Sequence, residues 1–168
     1  MKKFCLLSII VLLFLSFSVT NAQKKQFTVP DDWKKNEECG ITFSIPSEFE
    51  KEDVRGKDSC FSSFRSKNIL LSLDVLFYIG KESDSRKDEV SDEKDFKISK
   101  LKIDGRKAEI ITYYETENKE QWKDLLFNAT LFVPVIDKKE GGNLTMWANC
   151  RSEKDREIAK KIFETVRF

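Results

Sequence analysis

The amino-acid sequence predicts an α+β fold, in which a meander-like antiparallel sheet of about six to seven strands carries a C-terminal amphipathic helix on one face. Three observations predict this class. Runs of alternating apolar and polar residues, the period of a half-buried strand, recur from residue 40 onward. The C-terminal segment instead repeats apolar residues at helical spacing. Turn residues such as Asp104-Gly105 separate neighbouring runs, as in antiparallel hairpins.

The alternating runs fix the predicted strands. They lie at 40–46, 60–66, 69–79, 96–103, 107–116, 123–136 and 143–150. Asp104-Gly105 is typical of a type I′ turn, in which both central residues need positive φ. Residues 80–95 have almost no apolar content, and we expect an exposed loop or a short exposed helix there.

Both ends of the predicted domain carry further elements. Ser152 is the expected N-cap of the helix. The apolar face of the helix consists of Ile158, Ala159, Ile162, Phe163 and Val166. The last four residues, 165–168, are expected to be extended as a final edge strand. Before the first strand, residues 31–35 are predicted to make one helical turn, with the Trp33 indole covering an end of the core.

The first 22 residues have the three parts of a cleaved export signal. Lys2 and Lys3 form a positive start, residues 5–19 an apolar run, and Thr20-Asn21-Ala22 a site of small residues for signal peptidase. We predict cleavage after Ala22, which leaves a single periplasmic or extracellular domain over 23–168. The alternative is an uncleaved membrane anchor, which the short apolar run disfavours because a spanning helix needs about 20 residues.

Composition excludes several kinds of function. The chain contains no histidine, which removes Ser-His-Asp and Cys-His catalysis and imidazole-ligated zinc. The predicted mature domain keeps 28 basic and 29 acidic residues, so no net basic field would attract nucleic acid or an anionic membrane surface. The acidic stretch 80–95 lacks the ligand spacing of an EF-hand. We therefore predict no catalytic residue, no metal and no cofactor.

Strand alternation predicts one apolar sheet face, covered by the helix, and one mixed face of polar and aromatic side chains. The candidate binding residues on the mixed face are Asp74, Tyr78, Asn128, Thr130 and Trp147. Aromatic rings beside hydroxyls and amides are typical of binding surfaces, and a mid-strand carboxylate is costly unless hydrated or paired. The alternative interpretation is an ordinary half-solvated antiparallel sheet, which shows the same alternation.

Three cysteines remain after the predicted cleavage, and export favours their oxidation. In an unbroken antiparallel meander, Cys60 and Cys150 lie at the same end of the sheet and Cys39 at the other. This topology favours a Cys60–Cys150 disulfide. The alternatives are a Cys39–Cys60 disulfide and free buried thiols, and a crossover within 80–95 would reverse the argument.

Four segments resemble the Mog/PsbP-like superfamily. They are Ile-Asp-Gly-Arg-Lys-Ala at 103–108, LFVPVID at 131–137, LTMWANC at 144–150 and the closing AKKIFETVRF at 159–168. The chain is similar to small exported bacterial proteins of that fold, many with no assigned role. The resemblance implies an antiparallel sheet flanked by helices and a non-enzymatic accessory or binding role. It carries over no site residue, because no binding motif of the family is matched here.

These inferences together predict an exported, soluble, non-catalytic binding or accessory protein, not inserted in the membrane after processing. Its partner would be an unknown protein or small ligand outside the cytoplasm. One alternative is a hydrolase that uses a carboxylate pair, which requires a carboxyl of strongly raised pKa in a cleft. The other is a protein retained at the membrane by its uncleaved N-terminal helix.

Overall fold

The computed structural model describes residues 27–54, 59–76, 90, 93–115, 124–134 and 142–168, and within them the chain forms nine strands and one long helix. The strands are β1 (Trp33–Glu38), β2 (Ile41–Pro46), β3 (Glu50–Glu52), β4 (Cys60–Arg65), β5 (Ile69–Leu76), β6 (Lys94–Ile103), β7 (Arg106–Tyr114), β8 (Phe127–Val133) and β9 (Asn143–Cys150), and the helix is α1 (Glu153–Glu164). The predicted signal peptide at 1–22 lies outside the described residues.

The strands form a seven-stranded sheet and a separate hairpin. The large sheet has the order β3-β4-β5-β9-β8-β7-β6, and β1 pairs with β2 alone. Every pairing is antiparallel. The predicted α+β class, with an antiparallel sheet and a C-terminal helix, is confirmed.

The strand order differs from an unbroken meander at one step. After β5 the chain reaches the far edge of the sheet at β6 and returns strand by strand until β9 pairs with β5. Three strands separate β5 from β6, so the two run in the same direction. The crossover that would reverse the cysteine argument is therefore present.

The crossover makes the favoured Cys60–Cys150 pairing wrong. Both β4 and β9 run antiparallel to β5, with Cys60 opposite Val75 and Cys150 opposite Ile69. Six residues of β5 separate these levels, about 20 Å of strand. Cys60 is instead bonded to Cys39, the alternative pairing, and Cys150 is a free, buried thiol.

The helical turn predicted at 31–35 is also wrong, because Trp33 begins β1. The strand pairs with β2 along its whole length, from Trp33 opposite Pro46 to Glu38 opposite Ile41. Cys39-Gly40 joins the two strands with φ values of 57° and 73°, as a type I′ turn requires. Five of the six side chains of β1 are polar, so the sequence gives no apolar alternation there.

The core lies between the large sheet and a layer made of the β1–β2 hairpin and α1. Alternate residues of β5, β8 and β9 point into it, as the period of a strand requires. The covering layer contributes Ile41, Phe43, Ile45, Ala159, Ile162, Phe163 and Val166. Both the hairpin and the helix bury their apolar sides on the same sheet face, and the mixed face is the opposite face of the sheet.

The predicted local signals at the chain's turns and caps are confirmed. Ser152 caps α1 and accepts a hydrogen bond from the Asp155 N–H at 3.2 Å. Asp104 and Gly105 have φ values of 47° and 77°, matching a type I′ turn. The predicted final edge strand is reduced to one bridge, in which Arg167 and Thr42 exchange hydrogen bonds of 2.8 and 2.9 Å.

Candidate functional site

The strand register places four of the five predicted binding residues on the mixed face. Asp74 lies opposite Thr145, and Trp147 lies opposite both Ser72 and Thr130. Asn128 occupies the next mixed-face position of β8. The fifth residue, Tyr78, is outside the described residues.

One half of this face is closed. Val90 is buried against Ile111 and Tyr113, so at least this position of the 80–95 stretch is not exposed as predicted. Thr130 and Asn128 are each only 2% exposed. The Asn128 amide nitrogen donates to Leu126 O at 3.2 Å and to Glu115 Oε2 at 3.4 Å.

The other half forms a groove of about 500 Å³ over β4, β5 and β9, within the usual range of about 300–1,000 Å³ for small-molecule sites. Its floor consists of Ser63 and Ser72, which are buried and directly opposite each other. Large side chains surround these two small ones on the same face, including Phe61, Leu70 and Trp147. This step in side-chain size creates the depression.

The aromatic walls meet across β5. Phe61 belongs to β4 and Trp147 to β9, and their ring centroids are 5.9 Å apart with planes tilted by 43°. Each belongs to a strand that flanks β5, so the contact spans the strand that carries Ser72 and Asp74. Both rings are only partly buried and present apolar area to the groove.

A directional hydrogen-bond chain underlies the floor. Ser63 Oγ donates to Glu52 Oε2 at 2.7 Å, and the oxygens of Ser63 and Ser72 are 3.3 Å apart. A hydroxyl has one proton, so Ser72 must donate to Ser63 in this contact. The remaining lone pairs of Ser72 are then available to a hydrogen-bond donor in the groove.

Glu52 holds the outer end of this chain as an ionised carboxylate. Arg65 Nε donates to its Oε1 at 2.5 Å. Burial acts to raise the pKa of Glu52, but the hydrogen bonds from Arg65 and Ser63 and the nearby guanidinium charge together lower it. A carboxylate with a lowered pKa is a poor general base, so Glu52 is a positioning group for the serines.

Asp74 borders the groove and has an unused oxygen. It lies two residues from Ser72 on the same strand face, about 7 Å along β5, and opposite Phe61 on β4. Its Oδ1 is buried and accepts no hydrogen bond within the part of the chain that the structure describes. A buried carboxylate oxygen without a donor is costly. The Asp74 side chain as a whole is partly exposed, and a ligand in the groove could reach only that exposed part.

Sequence reasoning identified Trp147 and Asp74 but missed the β3–β4 side of the groove. Phe61, Ser63 and Arg65 alternate on one face of a predicted strand, and that alternation was a usable signal. Glu52 gave no signal, because β3 is the wholly charged tripeptide Glu-Lys-Glu. Only its pairing with β4 reveals it as a strand.

Comparisons with known proteins leave the site without a family template. No protein-family model matches the chain, and no curated protein matches it. Within the described ranges, no three His, Cys, Asp or Glu side chains are grouped to hold a metal ion. Among the same residues, no helix combines the length and apolar character needed to cross a bilayer.

Proposed function

We propose that the protein is an exported, non-catalytic binding or accessory protein and that the groove over β4, β5 and β9 is its binding site. The observation that carries the proposal is the pairing of two partly exposed aromatic rings, Phe61 and Trp147, with a buried serine floor. Such an arrangement gives a ligand apolar contact area and a small number of oriented polar groups, as ligand sites do. The Mog/PsbP-like resemblance agrees with an accessory role and remains part of the proposal.

Two features support export and binding over the alternatives. The Cys39–Cys60 disulfide suits an oxidising compartment. A carboxylate-dependent hydrolase would need a cleft carboxyl with a raised pKa, whereas the pKa of Glu52 in the groove is lowered. Retention at the membrane would require the first 22 residues to stay attached. The intact mass of the purified protein shows whether they do.

The experiment is native recovery of bound molecules from the exported protein, followed by mass spectrometry of what is released on denaturation. Ser72→Val fills the floor of the groove, and Trp147→Ala removes one wall. We expect a molecule that co-purifies with the wild type and is lost from both variants. Ser99→Val, the same change at an exposed position of β6, should retain it.

Two results would contradict the proposal. Equal recovery of the same molecules from the wild type and both groove variants, or recovery of none, would refute the groove as the binding site. A purified chain that keeps residues 1–22 by intact mass would refute export with cleavage after Ala22. Thermal unfolding of each variant shows whether the variant is still folded, so that loss of ligand binding is distinguished from loss of the fold.

A further inference from the structure

We infer that the groove binds an organic cation, an ammonium or guanidinium group seated against the Phe61–Trp147 pair. The inference rests on the proposed function, since it names the ligand class of the same site. It follows from the charge balance of the groove, the polarity of its hydrogen-bonding groups and the aromatic rings, taken in turn.

The described residues at the groove carry a net negative charge. Among the described residues that line or border it, the carboxylates of Glu52, Asp53 and Asp74 outnumber the single guanidinium of Arg65. Arg65 is itself committed to Glu52 through the 2.5 Å hydrogen bond. The field left for a ligand therefore favours a cation over an anion.

Two polar side chains of β5, Ser72 and Asp74, present hydrogen-bond acceptors to the groove. The proton of Ser72 is directed to Ser63, and that of Ser63 to Glu52, so Ser72 offers only lone pairs. Asp74, partly exposed on the same strand face, carries a carboxylate, which accepts hydrogen bonds and has no proton to donate when ionised. A cationic group with N–H or polarised C–H donors complements these two acceptors.

The aromatic pair supplies the third element. A cation over the face of a tryptophan or phenylalanine ring is attracted by the ring quadrupole, and neighbouring carboxylates add to that attraction. Phe61 lies opposite Asp74, and Trp147 lies opposite Ser72, so the rings and the acceptors share two adjacent cross-strand levels. An aromatic wall and a carboxylate thus converge on one small volume.

The test is NMR titration of the isotopically labelled protein with choline and with 3,3-dimethyl-1-butanol, its neutral carbon isostere. We expect choline to shift the Trp147 indole and Ser72 amide signals in a saturable way, and to bind at least about tenfold more tightly than the isostere. N-acetyl-lysine methylamide and N-acetyl-arginine methylamide form a second arm. Tighter binding of these than of choline would identify a peptide side chain as the source of the cation.

Variants separate the charge from the rings. Asp74→Asn keeps the shape but removes the coulombic attraction to the quaternary ammonium, and it should weaken choline binding about tenfold, with little effect on the isostere. Trp147→Leu keeps apolar bulk without the π face and should weaken choline binding several-fold. Glu157→Gln, the same loss of charge on α1, should have no effect.

Three outcomes would overturn the inference. The first is that the isostere, or acetate added as an anionic probe, binds the groove as tightly as choline. The groove would then bind a different ligand class, and the proposed function would stand. Choline binding unchanged by both Asp74→Asn and Trp147→Leu would place the cation elsewhere. No shift from any cationic probe would reject an organic cation, while the native recovery experiment decides the groove's binding role independently.

Discussion

Removal of the Cys39–Cys60 disulfide is the perturbation whose size follows most directly from the structure. The two cysteines are 21 residues apart in sequence. In the chain-entropy model, freeing a loop of this length lowers the free energy of unfolding by about 3 kcal/mol. The native fold should survive, because Ser62 Oγ still donates to Glu38 at 2.9 Å and Lys51 still pairs with Glu38 at 2.6 Å.

The assay is guanidinium denaturation of the oxidised wild type beside the Cys39→Ser/Cys60→Ser variant. Cys150→Ala is the matched control, because Cys150 is fully buried and its truncation removes only the sulfur contacts, which should lower the free energy of unfolding by about 1 kcal/mol.

Native Cys150 should also resist alkylation at pH 8, because burial and the nearby Asp155 raise its thiol pKa to about 12. Two results would refute the Cys39–Cys60 pairing that follows from this strand order. One is a peptide map of the unreduced protein that joins Cys60 to Cys150. The other is a Cys150→Ala variant that loses as much free energy of unfolding as the double variant.

Three further predictions concern stability. Glu52→Gln removes a carboxyl whose pKa is lowered by Arg65, so the wild type should have the larger free energy of unfolding at neutral pH. The difference between the two proteins should shrink as the pH falls below 4.5, the ordinary pKa of a glutamate. A difference that grows in acid would contradict this prediction. Gly105→Ala places a side chain at φ +77° and should lower the free energy of unfolding, measured by chemical denaturation, by about 1 kcal/mol. An unchanged denaturation midpoint would contradict the type I′ turn. Ser152→Ala removes the cap that accepts the Asp155 N–H and should lower stability by about 1 kcal/mol. Ser152→Thr should preserve stability, because its hydroxyl can still accept the Asp155 N–H and donate to the Asp155 carboxylate.

The mixed face shows how far sequence predicted the candidate site. Alternation placed Asp74 and Trp147 on one sheet face because neighbours along a strand must point to opposite sides. It also placed Asn128 and Thr130 there, but both are buried, since alternation specifies a face and not what covers it. The groove itself depends on Ser63 and Ser72 being adjacent across two strands, a matter of register.

The sequence by itself determined the local features of this protein: strand periodicity, the Asp104-Gly105 turn and the Ser152 cap. Each of these depends on the conformational preferences of a few consecutive residues. The tertiary structure alone decided that β5 pairs with β9, that Cys39 joins Cys60, and that Glu52 belongs to a strand. These outcomes require contacts between residues distant in the chain, and local periodicity carries no information about which strands become neighbours.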